Sequence, residues 1–282
     1  MELLRASIPS SGEILPRLGL GTYRTFDLRL PGAAADQAAA VFKAFHGAGG
    51  RLIDSSPMYG QAEAVTGTLS TQLGFNAELF IATKVWTDGA DGGPAMERSL
   101  SLLGRKSIEL MQVHNLKDFE QHWPRLQQWK AQGRFRYLGI THYQSSAFER
   151  LEQVLKAHPM DFLQIPYSLA ETSAEQRLIP AAHDLGVAII ANEPFDQGGL
   201  FRAAQGRALP AWTAELGIAS WAQYFLKFIL GDERVQFVIP ATGKLAHLQD
   251  FLPGGRGPLP NAAQRQRMRE EFRGGLRRSA HA

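Results

Sequence analysis

Short apolar runs recur along the chain, separated by segments with helical periodicity. They are Leu18 to Thr22, Arg51 to Asp54, Leu79 to Lys84, Leu110 to His114, Tyr137 to Thr141, Phe162 to Pro166, Val187 to Asn192 and Phe237 to Pro240. Runs this short and this apolar suit parallel strands buried under helices on their outer face. Between them, Ala33 to Gly47 is alanine-rich and leads into Ala48-Gly49-Gly50, a helix stop. Pro94 to Leu103 opens with proline in its first turn. Ser145 to His158 sets Phe148, Leu151, Val154 and Leu155 on one helical face. Ala219 to Leu230 is a strongly apolar helix. Strand and helix alternate eight times, which leaves a barrel or a doubly wound sheet. The count of eight, without any shift in composition, predicts one α/β domain, a (β/α)8 TIM barrel over residues 1–282.

Two segments interrupt the repeat. A small hairpin, about residues 6–15 around Ser10-Ser11-Gly12, is expected to close the barrel floor. The interval from Asn192 to Phe237 is the longest and reads as an inserted loop after the seventh strand, polar as far as Pro210.

Composition narrows the function classes. The chain has 282 residues, and barrels of this kind take about 250 as a single unit. Hydrophobic residues at 44% and charged residues at 20% fit a soluble globular protein. With no cysteine, thiolate metal sites, thiol nucleophiles and redox dithiols are excluded, and the histidines show no helical metal-ligand pair. The net charge is only +3, and much of the arginine lies in a basic tail, about residues 262–282. There Arg265, Arg267, Arg269, Arg273, Arg277 and Arg278 face Glu270 and Glu271, which reads as a solvated helix with a frayed Gly-Gly end. No basic face interleaves with aromatics, so no nucleic-acid partner is expected. The N-terminus has no secretory h-region and no run approaches a membrane span, so a cytoplasmic protein is expected, monomeric by default.

Barrel chemistry sits at the C-terminal ends of the strands. There stand Asp54, Lys84 and His114 on consecutive strands, with Tyr59 in the loop after Asp54. An aspartate and a lysine on adjacent strand ends can neutralise one another in a cleft. An ammonium near a phenol is expected to lower the phenol pKa, so that it exchanges a proton near neutral pH. A histidine on the next strand can orient a carbonyl oxygen. Singly, each residue has a plain reading: a helix cap, a snorkelling lysine, a packed tyrosine, a structural histidine. Their grouping is what points to chemistry.

At these residues the sequence resembles the aldo-keto reductase family, through about residues 14 to 251. The likeness rests on Leu18-Gly19-Leu20-Gly21-Thr22, on Ile53-Asp54-Ser55-Ser56-Pro57-Met58-Tyr59-Gly60, on Ile81-Ala82-Thr83-Lys84-Val85-Trp86, on Met111-Gln112-Val113-His114-Asn115 and on Val238-Ile239-Pro240-Ala241-Thr242-Gly243-Lys244. It implies a (β/α)8 barrel that binds NADPH, with NADH as the alternative, and reduces a carbonyl of a small-molecule substrate. By resemblance Tyr59 is the general acid, Lys84 tunes it, Asp54 holds Lys84 and His114 orients the carbonyl. The cofactor would be bordered by Gly21, Thr22, Tyr23 and Asp54, and its carboxamide held by Thr141, His142 and Gln164. Asn192, Glu193 and Ile239 would also border the cofactor, Gly198 and Gly199 with Leu200 and Phe201 would approach the pyrophosphate, and Thr242, Lys244, His247 and Leu248 would lie near the adenosine phosphate. Tyr23, Met58, Trp86 and His114 would line the substrate pocket, an apolar mouth suited to aldehydes and small ketones. The chain departs from the family pattern in several positions. Thr141-His142 replaces a Ser-Asn pair, Asn192 replaces a stacking tyrosine, and Glu193 brings a carboxylate toward cofactor phosphates. Ala241 and His247 stand where lysine and arginine often hold the 2′-phosphate. The rival readings are a non-catalytic barrel that binds the cofactor as a sensor or subunit, and a hydrolase pairing Asp54 with Glu193.

Overall fold

The structure is a computed structural model that describes residues 1–279, with side chains described through Gly274. Eight parallel strands form one sheet: β3 (Leu20–Gly21), β4 (Leu52–Asp54), β5 (Phe80–Val85), β6 (Ile108–His114), β7 (Phe135–Thr141), β8 (Phe162–Pro166), β9 (Ala188–Asn192) and β10 (Phe237–Val238). Each pairs with its sequence neighbour. Parallel bridges Leu18↔Val238 and Gly21↔Ala241 join first strand to last, so the barrel closes. The closure is tight. A side chain on Gly19 would lie 2.9 Å from both Ile239 and Leu52. β3 and β10, the two strands joined by these isolated bridges, are each shorter than their apolar runs.

Alternation along the strands sorts the barrel into layers. Phe80, Tyr137, Phe162 and Phe237 fill the lower interior, with ring centroids 5.5–6.1 Å apart where they meet. Leu52, Ala82, Leu110, Ile190 and Ile239 belong to the same interior cluster. Asp54, Lys84, His114 and Gln164 continue the inward-facing positions at the C-terminal rim. The outward residues, such as Ile53, Ile81, Val113 and Leu163, pack beneath the helices.

The hairpin forms as expected, from β1 (Arg5–Ser7) and β2 (Ile14–Pro16), antiparallel. Ile8 and Leu15 join the interior cluster from below. The Tyr137 hydroxyl meets Ser11 Oγ at 2.7 Å and donates to Glu13 at 2.5 Å, which fastens this floor to the barrel.

Helices alternate with the strands: α1 (Ala33–Gly47), α2 (Ala62–Gln72), α3 (Gly92–Leu102), α4 (Phe119–Ala131), α5 (Phe148–Ala157), α6 (Leu178–Asp184), α7 (Gly199–Ala204), α8 (Trp221–Leu230), α9 (Leu245–Phe251) and α10 (Ala262–Ser279). The apolar helix starts at Trp221, not Ala219, because the Ser220 side chain caps it by accepting from Gln223 N–H. Ser145–Ala147 is a 3₁₀ turn ahead of α5. Among the described residues, no helix is long and apolar enough to cross a membrane.

Two expectations need correction. The insertion after the seventh strand is folded: it holds α7 and a 3₁₀ helix at Ala211–Leu216. The terminal helix is docked, not merely solvated, and it continues through Gly274. Met268 and Phe272 are buried in the core, an apolar pair that the arginine-rich sequence hid. Arg265 donates to Phe228 O at 2.9 Å and to Glu175 at 2.8 Å, and lies 3.4 Å from Asp232. Arg269 makes two 2.8 Å bonds to Glu175. The helix also holds the insertion, through Trp212 Nε1 donating to Glu271 at 2.9 Å. Arg277, Arg278 and the last residues of the basic tail lie outside the described side chains.

Arg265→Met is therefore expected to destabilise the fold by about 2 kcal/mol, as charge-assisted hydrogen bonds to buried groups are lost while Arg269 and Arg234 still neutralise the carboxylates. Urea unfolding of both proteins measures this, and an unchanged midpoint would mean α10 is not held by these bonds.

Candidate active site

The rim of the barrel carries a buried ion pair. Lys84 stands one residue before the end of β5 with its ammonium fully shielded, and Asp54 ends β4 with its carboxylate almost as deep. Lys84 Nζ donates to both Asp54 oxygens at 2.8 Å and to Ser55 O at 2.6 Å, which uses all three of its hydrogens. Asp54 Oδ1 also accepts from Gln164 Nε2 at 2.7 Å, and Gln164 Oε1 accepts from Thr141 Oγ1 at 2.9 Å. Thr22 Oγ1 donates to Asp54 O at 2.9 Å and stands 3.0 Å from Ser55 Oγ. Buried charges persist only when paired and hydrogen-bonded in this way.

Tyr59 covers this pair. The loop from Ser55 to Tyr59 turns back through a Tyr59 N–H to Ser56 O bond of 3.0 Å. Lys84 Nζ lies 5.2 Å from the Tyr59 ring centroid, against its face. The His114 ring stands edge-on to Tyr59, centroids 6.1 Å apart at 86°. His114 Nδ1 is in a 3.1 Å hydrogen bond with Ser56 Oγ. The structure thus brings Asp54, Tyr59, Lys84 and His114 together, as their positions at strand ends suggested.

The expected lowering of the Tyr59 pKa is overturned. Burial raises it above the usual phenol value, and Asp54, Tyr23 and Glu193 add to the rise. Lys84 is engaged by Asp54 and Ser55, so its charge is largely offset at the phenol. Burial likewise pulls Lys84 down against the opposing pull of Asp54. His114 is held down to about 3, first by burial and then by the Lys84 and His142 charges.

The surrounding positions divide. Tyr23, Met58 and Trp86 are partly exposed at the mouth, at 45%, 38% and 41%. Tyr23 lies 4.9 Å from Tyr59 between ring centroids. Gly21 is buried against the carbonyl of Ile239. His142 stacks on Tyr143, and its carbonyl accepts from Asn192 Nδ2 at 3.2 Å. Asn192 Oδ1 is buried and unpartnered, an acceptor that a ligand amide N–H would satisfy. This free acceptor fits the amide N–H of a nicotinamide carboxamide. Glu193 follows at φ 50, bonded by Gln197 at 3.0 Å, and burial raises its pKa. Gly199 starts α7, while the Leu200 side chain is in the core and offers only its backbone. Thr242 is buried and accepts from Lys244 N–H at 3.1 Å; Lys244 and His247 are exposed beyond it. Leu248 is buried in the core cluster, so its side chain faces away from any ligand.

Sequence reasoning quoted Ser55 and Ser56 but gave them no work. One holds Lys84 through its carbonyl, the other holds His114. Two adjacent serines after a buried aspartate were the available signal. Among the described residues, no cluster of His, Cys, Asp or Glu could hold a metal ion.

Residues 17–261 match the family model described as Aldo/keto reductase family. The chain is 28% identical to methylglyoxal reductase YeaE of Escherichia coli over 256 residues, 86% of each chain. It is 27% identical to aldo-keto reductase str7 of Strobilurus tenacellus over 255 residues, 76% of this chain and 75% of that one. Its fold is similar to an aldo-keto reductase from Klebsiella pneumoniae in complex with NADPH, with TM-score 0.80, 19% identity and 96% of both chains covered. With the match running through every barrel strand and the rim that carries Asp54, Lys84 and His114, this chain belongs to the aldo/keto reductase family.

Proposed function

We propose that the protein is an NAD(P)H-dependent carbonyl reductase that converts an aldehyde or ketone to the alcohol, with Tyr59 as the proton donor. The observation that carries this reading is the phenol of Tyr59 lying over the buried Lys84–Asp54 pair with His114 edge-on beside it. The names of relatives support it: one is a methylglyoxal reductase, and a structural neighbour is a complex with NADPH.

When bound, the reduced nicotinamide supplies the hydride that reduces the carbonyl carbon. Thr141, His142, Gln164 and Asn192 would hold its carboxamide, with Gly21 and Thr22 close by. Backbone at Gly199 and Leu200 would approach the pyrophosphate, and Thr242, Lys244 and His247 the adenosine end. Tyr59, kept protonated by its raised pKa, presents an O–H throughout the neutral range. An alkoxide forming at the substrate oxygen is a stronger base than any phenolate, so the proton moves to it without help from a low pKa. The Lys84 ammonium against the ring contributes to the phenolate left behind only what Asp54 and Ser55 leave unspent. His114 is neutral, and in the tautomer in which Ser56 donates to Nδ1 its Nε2 carries the proton and can donate to the carbonyl oxygen. Tyr23, Met58 and Trp86 would wall the substrate.

Three outcomes are expected. Tyr59→Phe loses at least about a hundredfold in kcat, followed by nicotinamide absorbance with a panel of aldehydes, while cofactor still quenches tryptophan fluorescence. Retained turnover in this variant would remove Tyr59 from the chemistry. For His114, the folded chain resists a proton that the unfolded chain accepts. Stability is therefore expected to fall as pH drops from 6.5 toward 3, and His114→Gln should lose less Tm across that window. Glu193 has no cation within ion-pair distance among the described residues, so its carboxylate repels cofactor phosphates. Glu193→Gln should tighten the Kd for NADPH by about threefold at neutral pH. Because the Glu193 pKa is raised, the wild type should approach the variant's affinity as the pH falls; parallel pH profiles would show that Glu193 does not face the phosphates.

A further inference from the structure

Two exposed aromatic residues that the family resemblance assigns to the substrate pocket, Tyr23 and Trp86, each bear a cation. On one side the Arg24 guanidinium carbon lies 5.0 Å from the Tyr23 ring centroid. On the other, Lys117 Nζ lies 5.4 Å from the Trp86 ring centroid. The two cations come from separate loops, after β3 and after β6. Lys117 is paired with Asp88 at 2.9 Å, through a carboxylate that is largely exposed. Arg24 has no carboxylate within ion-pair distance among the described residues. Its nearest acidic neighbour in sequence, Asp27, accepts from Gln61 N–H at 2.9 Å.

Arg24 is also held in place. Its φ is 60, the left-handed region that costs a side-chain-bearing residue energy. Thr22 O accepts from Thr25 N–H at 3.2 Å and from Phe26 N–H at 3.1 Å, and this turn sets the conformation. Phe26 anchors it in the core. A guanidinium braced on an aromatic face keeps its fork of donors free for a planar anion, and a carboxylate matches that fork. Tyr23 is next to both groups: its ring centroid is 4.9 Å from that of Tyr59 and 5.0 Å from the Arg24 guanidinium carbon.

We propose that Arg24 is a specificity residue that binds a carboxylate on the substrate, so that the preferred substrates are aldehyde acids. Their carbonyl lies at Tyr59 and His114, and their carboxylate is one ring-width away on Arg24. A spacer of that length excludes oxo acids whose carbonyl and carboxylate are adjacent. This proposal rests on the carbonyl-reductase reading.

The probes are para-carboxybenzaldehyde, its methyl ester and the ortho acid, whose carboxylate points back toward the carbonyl. Expected is a kcat/KM for the para acid about tenfold above that of the ester, carried by KM, shrinking at high salt and absent for the ortho acid. Arg24→Gln should erase the preference and Arg24→Lys retain part of it. An acid-to-ester ratio that is the same in the wild type and in Arg24→Gln, with both aldehydes reduced, overturns the proposal and leaves the reductase reading intact. If no aldehyde is reduced, the reductase reading fails instead. The carboxylate site is then read by quenching of tryptophan fluorescence with para-carboxybenzaldehyde: quenching lost in Arg24→Gln supports the site, and no difference between the two proteins overturns it.

Discussion

An ammonium group without access to water stands at the centre of this structure. Lys84 is on the inner face of a barrel strand, where an unpaired charge would cost several kcal/mol of lost hydration. Three acceptors offset that cost, and none of them is independent of the fold. Asp54 comes from the neighbouring strand, Ser55 O from the residue after it, and Asp54 is itself held by Gln164, which is held by Thr141. Thr22 on the first strand fixes the peptide between the two acceptors. Satisfying one lysine thus links strands across the barrel rim, and the same links hold the ring of Tyr59 over a cation.

The barrel prepares that rim by a gradient of polarity. Aromatic rings fill the interior near the hairpin floor, aliphatic side chains follow, and Asp54, Lys84 and His114 lie toward the C-terminal ends. Each inward position two residues further along a strand lies one layer higher, so the change from Phe80 to Ala82 to Lys84 on β5 is a change of depth. Packing below is dense enough that Gly19 admits no side chain, and a rigid floor fixes the height of the polar layer.

The electrostatics of Tyr59 run against the simple expectation that a nearby lysine makes a phenol more acidic. Charge counts only as far as it is unspent. Lys84 is spent on Asp54 and Ser55, and what reaches Tyr59 is burial together with the carboxylates of Asp54 and Glu193. A phenol that stays protonated suits the proton-donor role proposed for Tyr59, in which the base that receives the proton is created at the substrate. The neutral state of His114 follows from the same environment, because a second cation beside Lys84 in a dry site is disfavoured.

The amino-acid sequence by itself determined the barrel, because eight apolar runs alternating with helices leave few ways to bury both. It pointed to the proposed site as well: Asp54, Lys84 and His114 lie at or next to the ends of consecutive strands, and strand ends share one rim. The sequence did not reveal how these groups divide their hydrogen bonds. That Lys84 has no donor left for Tyr59, that Ser56 steadies His114, and that Arg24 braces on Tyr23 depend on distances between loops set by packing. The terminal helix was misread for the same reason. Its arginines suggest solvent, but Glu175 and Asp232, far away in sequence, wait on the barrel side to receive Arg265 and Arg269. Periodicity reports which face of an element is apolar. Only the assembled tertiary structure decides which charges meet, because a charge is defined by its partners and its access to water.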